Sequence, residues 1–330
     1  MRIPLRDMPR SLKLTIGGVA ALLLLVQLFF CWRWSREPSL YLDTSALSGA
    51  PAVTGYVTVE TLIQTIDWLL AKPGGYLSND IYPPSIWLDN MPSFEFGVLV
   101  QARDLARVLR NDYSRSQSQS TEYPALRNAE EALNYRPDQW IYPSTQRRFR
   151  DAQDALGEYR SALVSREAED AQFYARADNL REWLALVERR LGNLSQSLSA
   201  SVGQTRINTD LAGEPAAQAS TPREATIAVK TPWLQIDNVF FEARGSVWAL
   251  LQFMAAAQVD FDGVLRDKNA VVSLEQVIRE LEGALGPIWS PVILNGGGYG
   301  FFANHSLVLA SYVSRAHSAV VDLRELLAQG

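Results

Sequence analysis

One stretch of the chain is apolar without interruption, and most of the rest carries apolar residues at helical spacing. Between Lys13 and Arg33 lie 19 residues without a charge, "LTIGGVAALLLLVQLFFCW". As a helix they span roughly 28 Å, close to the thickness of a bilayer's hydrocarbon core. "TVETLIQTIDWLLAKPGG" reads as a compact helix, with Thr58 as its N-cap, Leu62, Ile66, Leu69 and Leu70 as its stripe, and Pro73-Gly74-Gly75 as its stop. Further helices are predicted over about 94–111 and 125–134. In the middle of the chain, Phe149, Ala152, Leu156, Tyr159 and Leu163 recur at alternating steps of three and four. Ala177, Leu180, Leu184, Val187, Leu191, Leu194 and Leu198 do the same. That spacing is the seam of helices packed as in a coiled coil. Arg166 and Asp170 break the first register, so "SREAED" is expected to bend an antiparallel helical hairpin; one continuous rod is the alternative.

From 204 to 231 the periodicity dissolves into small, polar and proline-containing residues, the composition of a flexible linker or insertion. Helical spacing returns over roughly 234–265, 273–285 and 301–327, and "PVILN" is the one fair strand candidate. The predicted architecture is all-α: an N-terminal transmembrane helix, then a periplasmic helical bundle. Its expected parts are a cytoplasmic N-terminus (1–13), a transmembrane anchor (14–34), a first helical region (35–203), the linker (204–231) and a C-terminal helical region packed with the first (232–330).

Charge orients the anchor. Arg2, Arg6, Arg10 and Lys13 precede it against one acid, Asp7, whereas Glu37 and Asp43 offset Arg33 and Arg36 after it. Positive flanks stay in the cytoplasm, so the bulk of the chain is expected on the far side of the membrane. A cleaved signal peptide fits less well, because no small-x-small site follows closely. The net charge of −5 comes without a basic, aromatic-interleaved stripe, which excludes nucleic acid as the expected partner. Cys31 is the sole cysteine, so neither a disulfide framework nor a thiolate metal cluster is available.

Chemistry is thinly supplied. "GYGFFA" at Gly298–Ala303 fits G-x-G-x-x-A, but it lacks the βαβ unit and the acid at the end of a second strand that a dinucleotide site requires. A sharp corner is the preferred reading, with no nucleotide and no cofactor. His305 and His317 stand twelve residues apart on one helix, about 18 Å, too far to share a metal. Asp80, Asp89 and Glu95 sit among aromatics, the composition of a glycan-cleaving cleft, although turn and capping roles suit "SND" and "LDN" better. The loop 76–93 is long, stiffened by Pro83-Pro84, and too apolar to stay solvated. Tyr76, Tyr82 and Trp87 on it either cap the end of the bundle core or are the candidate contacts with an envelope protein or cell-wall glycan, aromatics being the side chains that dominate interfaces.

The stretches "LSNDIYPPSIWLDNMPSFEFGVLVQ", "YSRSQSQSTE", "DAQFYARADNLREWL", "RLGNLSQSLSASVGQ" and "FFANHSLVLASYVSRA" resemble an uncharacterised family of Gram-negative inner-membrane proteins, classed as a domain of unknown function. The resemblance covers nearly the whole chain. It implies inner-membrane placement and assigns no catalytic or ligand residue. The expected function is that of a membrane-anchored, non-catalytic binding or scaffold component of the envelope. The alternative is a hydrolase of cell-wall glycan acting through Asp80, Asp89 and Glu95.

Overall fold

The computed structural model describes residues 9–42, 51–116, 122–165, 171–208, 224, 226–290, 292–296 and 303–329. Within them are ten α-helices and one two-stranded ribbon, so the protein is all-α. The first helix, α1 (Arg10–Trp34), has no buried residue and is long and apolar enough to cross a membrane. The helices α2 (Tyr56–Ala71), α3 (Asn90–Val108), α4 (Pro124–Leu133), α5 (Thr145–Ser165), α6 (Ala177–Ser199), α7 (Ile236–Asp260), α8 (Asp262–Asp267), α9 (Val271–Ala284) and α10 (His305–Ala328) build the bundle.

α7 is its axis. Residues from Ala243 to Met254 are buried on every face of this helix, with α2, α3 and α9 packed around it. α3 comes closest, through glycines on both helices. A Cβ at Gly97 would lie 2.1 Å from the Glu242 carbonyl oxygen, and one at Gly245 would lie 2.0 Å from that of Phe94. No larger residue fits without prising the backbones apart.

Contacts at the helix ends show a chain that runs up and down. At one end, called near because α1 leaves from it, Ser35, Asn90, Ile236, Leu285 and Asn295 meet around a cleft. There Asn79 donates to the Gln139 carbonyl (2.7 Å) and to Gln146 Oε1 (2.8 Å), and Asn295 donates to the Ser201 carbonyl (2.8 Å). At the far end the Tyr113 ring packs edge-on against Phe173 and at a tilt against Phe261, and Lys268 donates to the Gln329 carbonyl. The described parts of loops 72–89, 134–144, 200–235 and 285–304 consequently all gather at the near end.

Several sequence expectations change here. Phe149, Ala152, Leu156, Tyr159, Leu163, Leu180, Leu184, Val187, Leu191 and Leu198 are buried as the spacing requires, and the chain does break between α5 and α6; the bend residues 166–170 lie outside the described residues. The two helices are not a mutually packed hairpin, however. α5 packs on α4 and α2, whereas α6 packs on α10, α7 and α3. An apolar stripe fixes which face is buried but not what covers it.

The 204–231 segment is not linker throughout. β1 (Gln204–Ile207) and β2 (Thr226–Val229) pair antiparallel, Gln204 opposite Val229 and Ile207 opposite Thr226. Their β-branched residues suit a pleated ladder, but four-residue runs are too short to stand out as a period of two. Residues 209–223 lie outside the described residues. Pro291 of "PVILN" lies outside the described residues, and 292–295 form no strand; Asn295 and Asn304 make an isolated bridge instead. Thr58 does not cap α2. The helix starts at Tyr56 after Gly55, whose φ of 89° suits glycine, and the cap is the Asp260 carboxylate. It accepts from the Gly55 and Thr58 amides at 2.8 and 2.7 Å, satisfying donors that open a helix.

Candidate functional site at the near end of the bundle

The segment leaving α1 is docked rather than loose. Arg244, Trp248 and Gln252 succeed one another at four-residue steps on one face of α7, and each holds part of residues 37–42. Arg244 pairs with the Glu37 carboxylate, Nε to Oε1 at 2.7 Å and Nη2 to Oε2 at 2.5 Å. Trp248 Nε1 donates to the Ser39 carbonyl at 2.9 Å. The Gln252 amide donates to the Leu40 carbonyl and accepts from the Leu42 amide. Tyr41 donates to Glu282, and burial together with that carboxylate pushes its hydroxyl up to about 12. Arg244 is almost fully buried and also donates to the carbonyls of Ala284, Leu285 and Gly286, so its guanidinium is satisfied on every side. The Trp34 ring lies against Gly74 at the other flank of α1's exit.

Beside this strap opens a cleft of about 920 Å³. Ser35, Glu37 and Pro38 form one wall; Trp233, Leu234, Phe241, Ile288, Val292 and Leu294 supply most of the apolar surface. Asp89, Asn90, Asp237, Arg244, Ser290 and Asn295 add polar lining. Volume and composition suit an apolar guest with a few polar contacts.

The carboxylates expected on loop 76–93 do not form a site. Glu95 is completely buried, and its oxygens accept from the Leu77 and Ser78 amides (2.9 Å each), the Ser78 hydroxyl and the Lys72 ammonium (2.7 Å). It clamps the loop onto α3, and no substrate reaches it. Asp80 is exposed on the surface away from the cleft, and Asp89, also exposed, stands alone of the three in the cleft lining. The sequence showed three acids near one another but not that one would be sealed beneath the chain.

The aromatic trio divides in the same way. Tyr76 is 2% exposed, packs edge-on against Phe149, and has its hydroxyl pKa raised mainly by burial; it is core rather than contact surface. Tyr82 and Trp87 are 72% and 60% exposed. The loop turns one set of side chains inward, around the Glu95 clamp, and leaves Ile81, Tyr82, Ile86 and Trp87 outside. Sequence reasoning missed Trp233, Leu234 and Trp289, the last 93% exposed, because Trp233 and Trp289 sit in aperiodic stretches and Leu234 reads as the first apolar position of the following helix.

The glycines Gly297, Gly298 and Gly300 lie outside the described residues, as does the rest of 297–302. The flanks of that loop are pinched together. His305 Nδ1 accepts from the Leu294 amide, the His305 amide donates to the Leu294 carbonyl, and the Asn304 side chain caps α10 by accepting from the Leu307 amide. His305 thus serves the corner. Among the described residues, no three His, Cys, Asp or Glu side chains are grouped to hold a metal ion.

The chain matches, over residues 8–330, the profile of a family described as an uncharacterized protein conserved in bacteria (DUF2333). It belongs to that family. No curated protein and no solved structure matches it. Membership places the protein in bacteria and covers α1 and the bundle together.

Proposed function

We propose that this protein is a single-pass inner-membrane protein with its N-terminus in the cytoplasm and its bundle in the periplasm. There it acts as a non-catalytic binding or scaffold component of the cell envelope. The contact surface is the near end of the bundle: the cleft beside α1 and the exposed Tyr82, Trp87, Trp233 and Leu234 around it. The observation that carries this reading is the position of the cleft, walled on one side by the residues that leave α1 and on the other by apolar side chains. An exposed apolar patch of this kind marks an interaction site. The alternative, cleavage of cell-wall glycan through Asp80, Asp89 and Glu95, loses one of its three acids to the buried clamp.

The test uses the full chain in cells. Alkaline phosphatase fused after Gly330 is expected to be active, and an inactive fusion would overturn the topology. A photoreactive residue in place of Trp87 or Trp233 is expected to give adducts, whereas one in place of Val272, at the far end, gives none. Equal labelling at all three positions would remove the near end as the contact surface.

A further inference from the structure

The chain has nine tryptophans. Trp183 and Trp248 are buried, Trp34 and Trp68 are half-buried, and Trp32 is on α1. The remaining four, Trp87, Trp140, Trp233 and Trp289, are all exposed, and all four stand on near-end loops, one on each. Apolar neighbours accompany each of them: Ile86, Ile141, Leu234 and Val292 are exposed as well. Four loops far apart in sequence have no local reason to expose the same side chain at the same end. Tryptophan pairs a large apolar ring with a polar N–H, the combination enriched where hydrocarbon meets water.

Geometry fixes what lies opposite that end. Residues 37–42 are bonded to α7, Trp34 lies against Gly74, and Ser35 lines the cleft with Trp233 and Leu234. The bundle therefore cannot swing away from α1 on a slack tether. Whatever surface α1 emerges from is the surface these loops face.

We infer that the near end rests on the bilayer that α1 crosses, with Trp87, Trp140, Trp233 and Trp289 in its interfacial zone and the cleft opening toward lipid. The inference rests on the anchor reading of α1 and names the first occupant of the surface proposed above: the phospholipid membrane itself. α1 then becomes one of two attachments. The second holds the bundle at a fixed orientation, as amphipathic surface segments do when their apolar side chains enter the headgroup boundary.

The experiment uses the full chain in lipid nanodiscs, one copy per disc, with a bimane label at one cysteine. The native Cys31 reports on α1. Trp289→Cys and Val272→Cys, each combined with Cys31→Ala, report on the near and far ends. Lipids brominated near the glycerol end of their acyl chains quench a label that lies in the interface. Expected is quenching at 31 and at 289 to a similar degree, with none at 272. Quenching at 31 but not at 289 overturns the inference and leaves the anchor standing. Loss of quenching at 31 overturns the anchor reading and this inference with it. A label at 289 shielded from both brominated lipid and aqueous iodide would mean that protein covers the site, which also overturns it. Since Trp289 is 93% exposed, its replacement leaves the core intact.

Discussion

The two ends of the bundle perform the same topological task and present opposite surfaces. Near-end loops expose four tryptophans, with isoleucine, leucine and tyrosine beside them. At the far end the exposed large apolar side chains among the described residues are Val164, Val259 and Val272, and the described connections carry Arg115, Ser116, Asp262, Arg266, Asp267 and Lys268. Turning a helix hairpin does not require tryptophan, so the asymmetry is not a by-product of the fold. The polar far end is what a solvated end of a bundle looks like. The near end departs from it in the one direction in which α1 leads.

The interior is the place to break both ends together. Gly245→Val puts two methyl groups where one Cβ already meets the Phe94 carbonyl at 2.0 Å. It is expected to cost at least about 3 kcal/mol, the upper part of the overpacking range, because backbone rather than side chain must yield. Gly263 on α8 at the far end has nothing within 4 Å, so Gly263→Ala is expected to be neutral or slightly stabilising. Urea denaturation of the solubilised full chain measures both.

Next in size is the latch at the near end. Glu37→Ala leaves the buried Arg244 without its carboxylate and is expected to cost about 2–3 kcal/mol, softened by the three carbonyls that Arg244 keeps. The same variant should be cut faster by trypsin after Arg36. Unchanged cleavage would mean that the strap is held without this pair.

The far end has its own latch, with a pH signature. Burial holds the Asp260 carboxyl above its ordinary 3.8, against the pull of the Thr58 and Gly55 hydrogen bonds. A raised folded-state value means stability fully present below pH 3.8 and lost as pH rises through the folded value. The destabilisation caused by Asp260→Asn is therefore expected to be larger below pH 3.8 than near neutrality. A gap that widens with pH would reverse the sign and the cause. The smallest effect belongs to the exposed rim. Tyr82→Ala and Trp87→Ala should each change stability by no more than about 0.5 kcal/mol. Tyr76→Ala, in the core beneath them, should cost about 3 kcal/mol.

Much of the helical framework was legible in the sequence, and the reason is visible in α5 and α6. Their buried positions fall where the three-four spacing puts them, since burial of one stripe is a local property of a helix. Partners are not local. Nothing within the sequence of α5 says that α4 and α2 cover it, and Asp260 caps a helix 202 residues upstream at Thr58. The site was half legible for the same cause. Long apolar loop 76–93 announced itself, and Tyr82 and Trp87 do stand exposed. That Glu95 and Tyr76 would turn inward depended on Lys72 and Phe149, which no spacing rule connects to them.

The docked strap sets a height. α7 has 25 residues, a length of about 37 Å, and residues 37–42 are fastened along its middle third. A domain on a slack tether sweeps a hemisphere and meets other molecules at many distances from its root. With α1 in a bilayer, this one stands as a peg: it spins and drifts in the plane of the membrane, but its tip stays roughly one helix length above the surface. Any encounter is then confined to a thin sheet of space, and the search for a partner becomes two-dimensional.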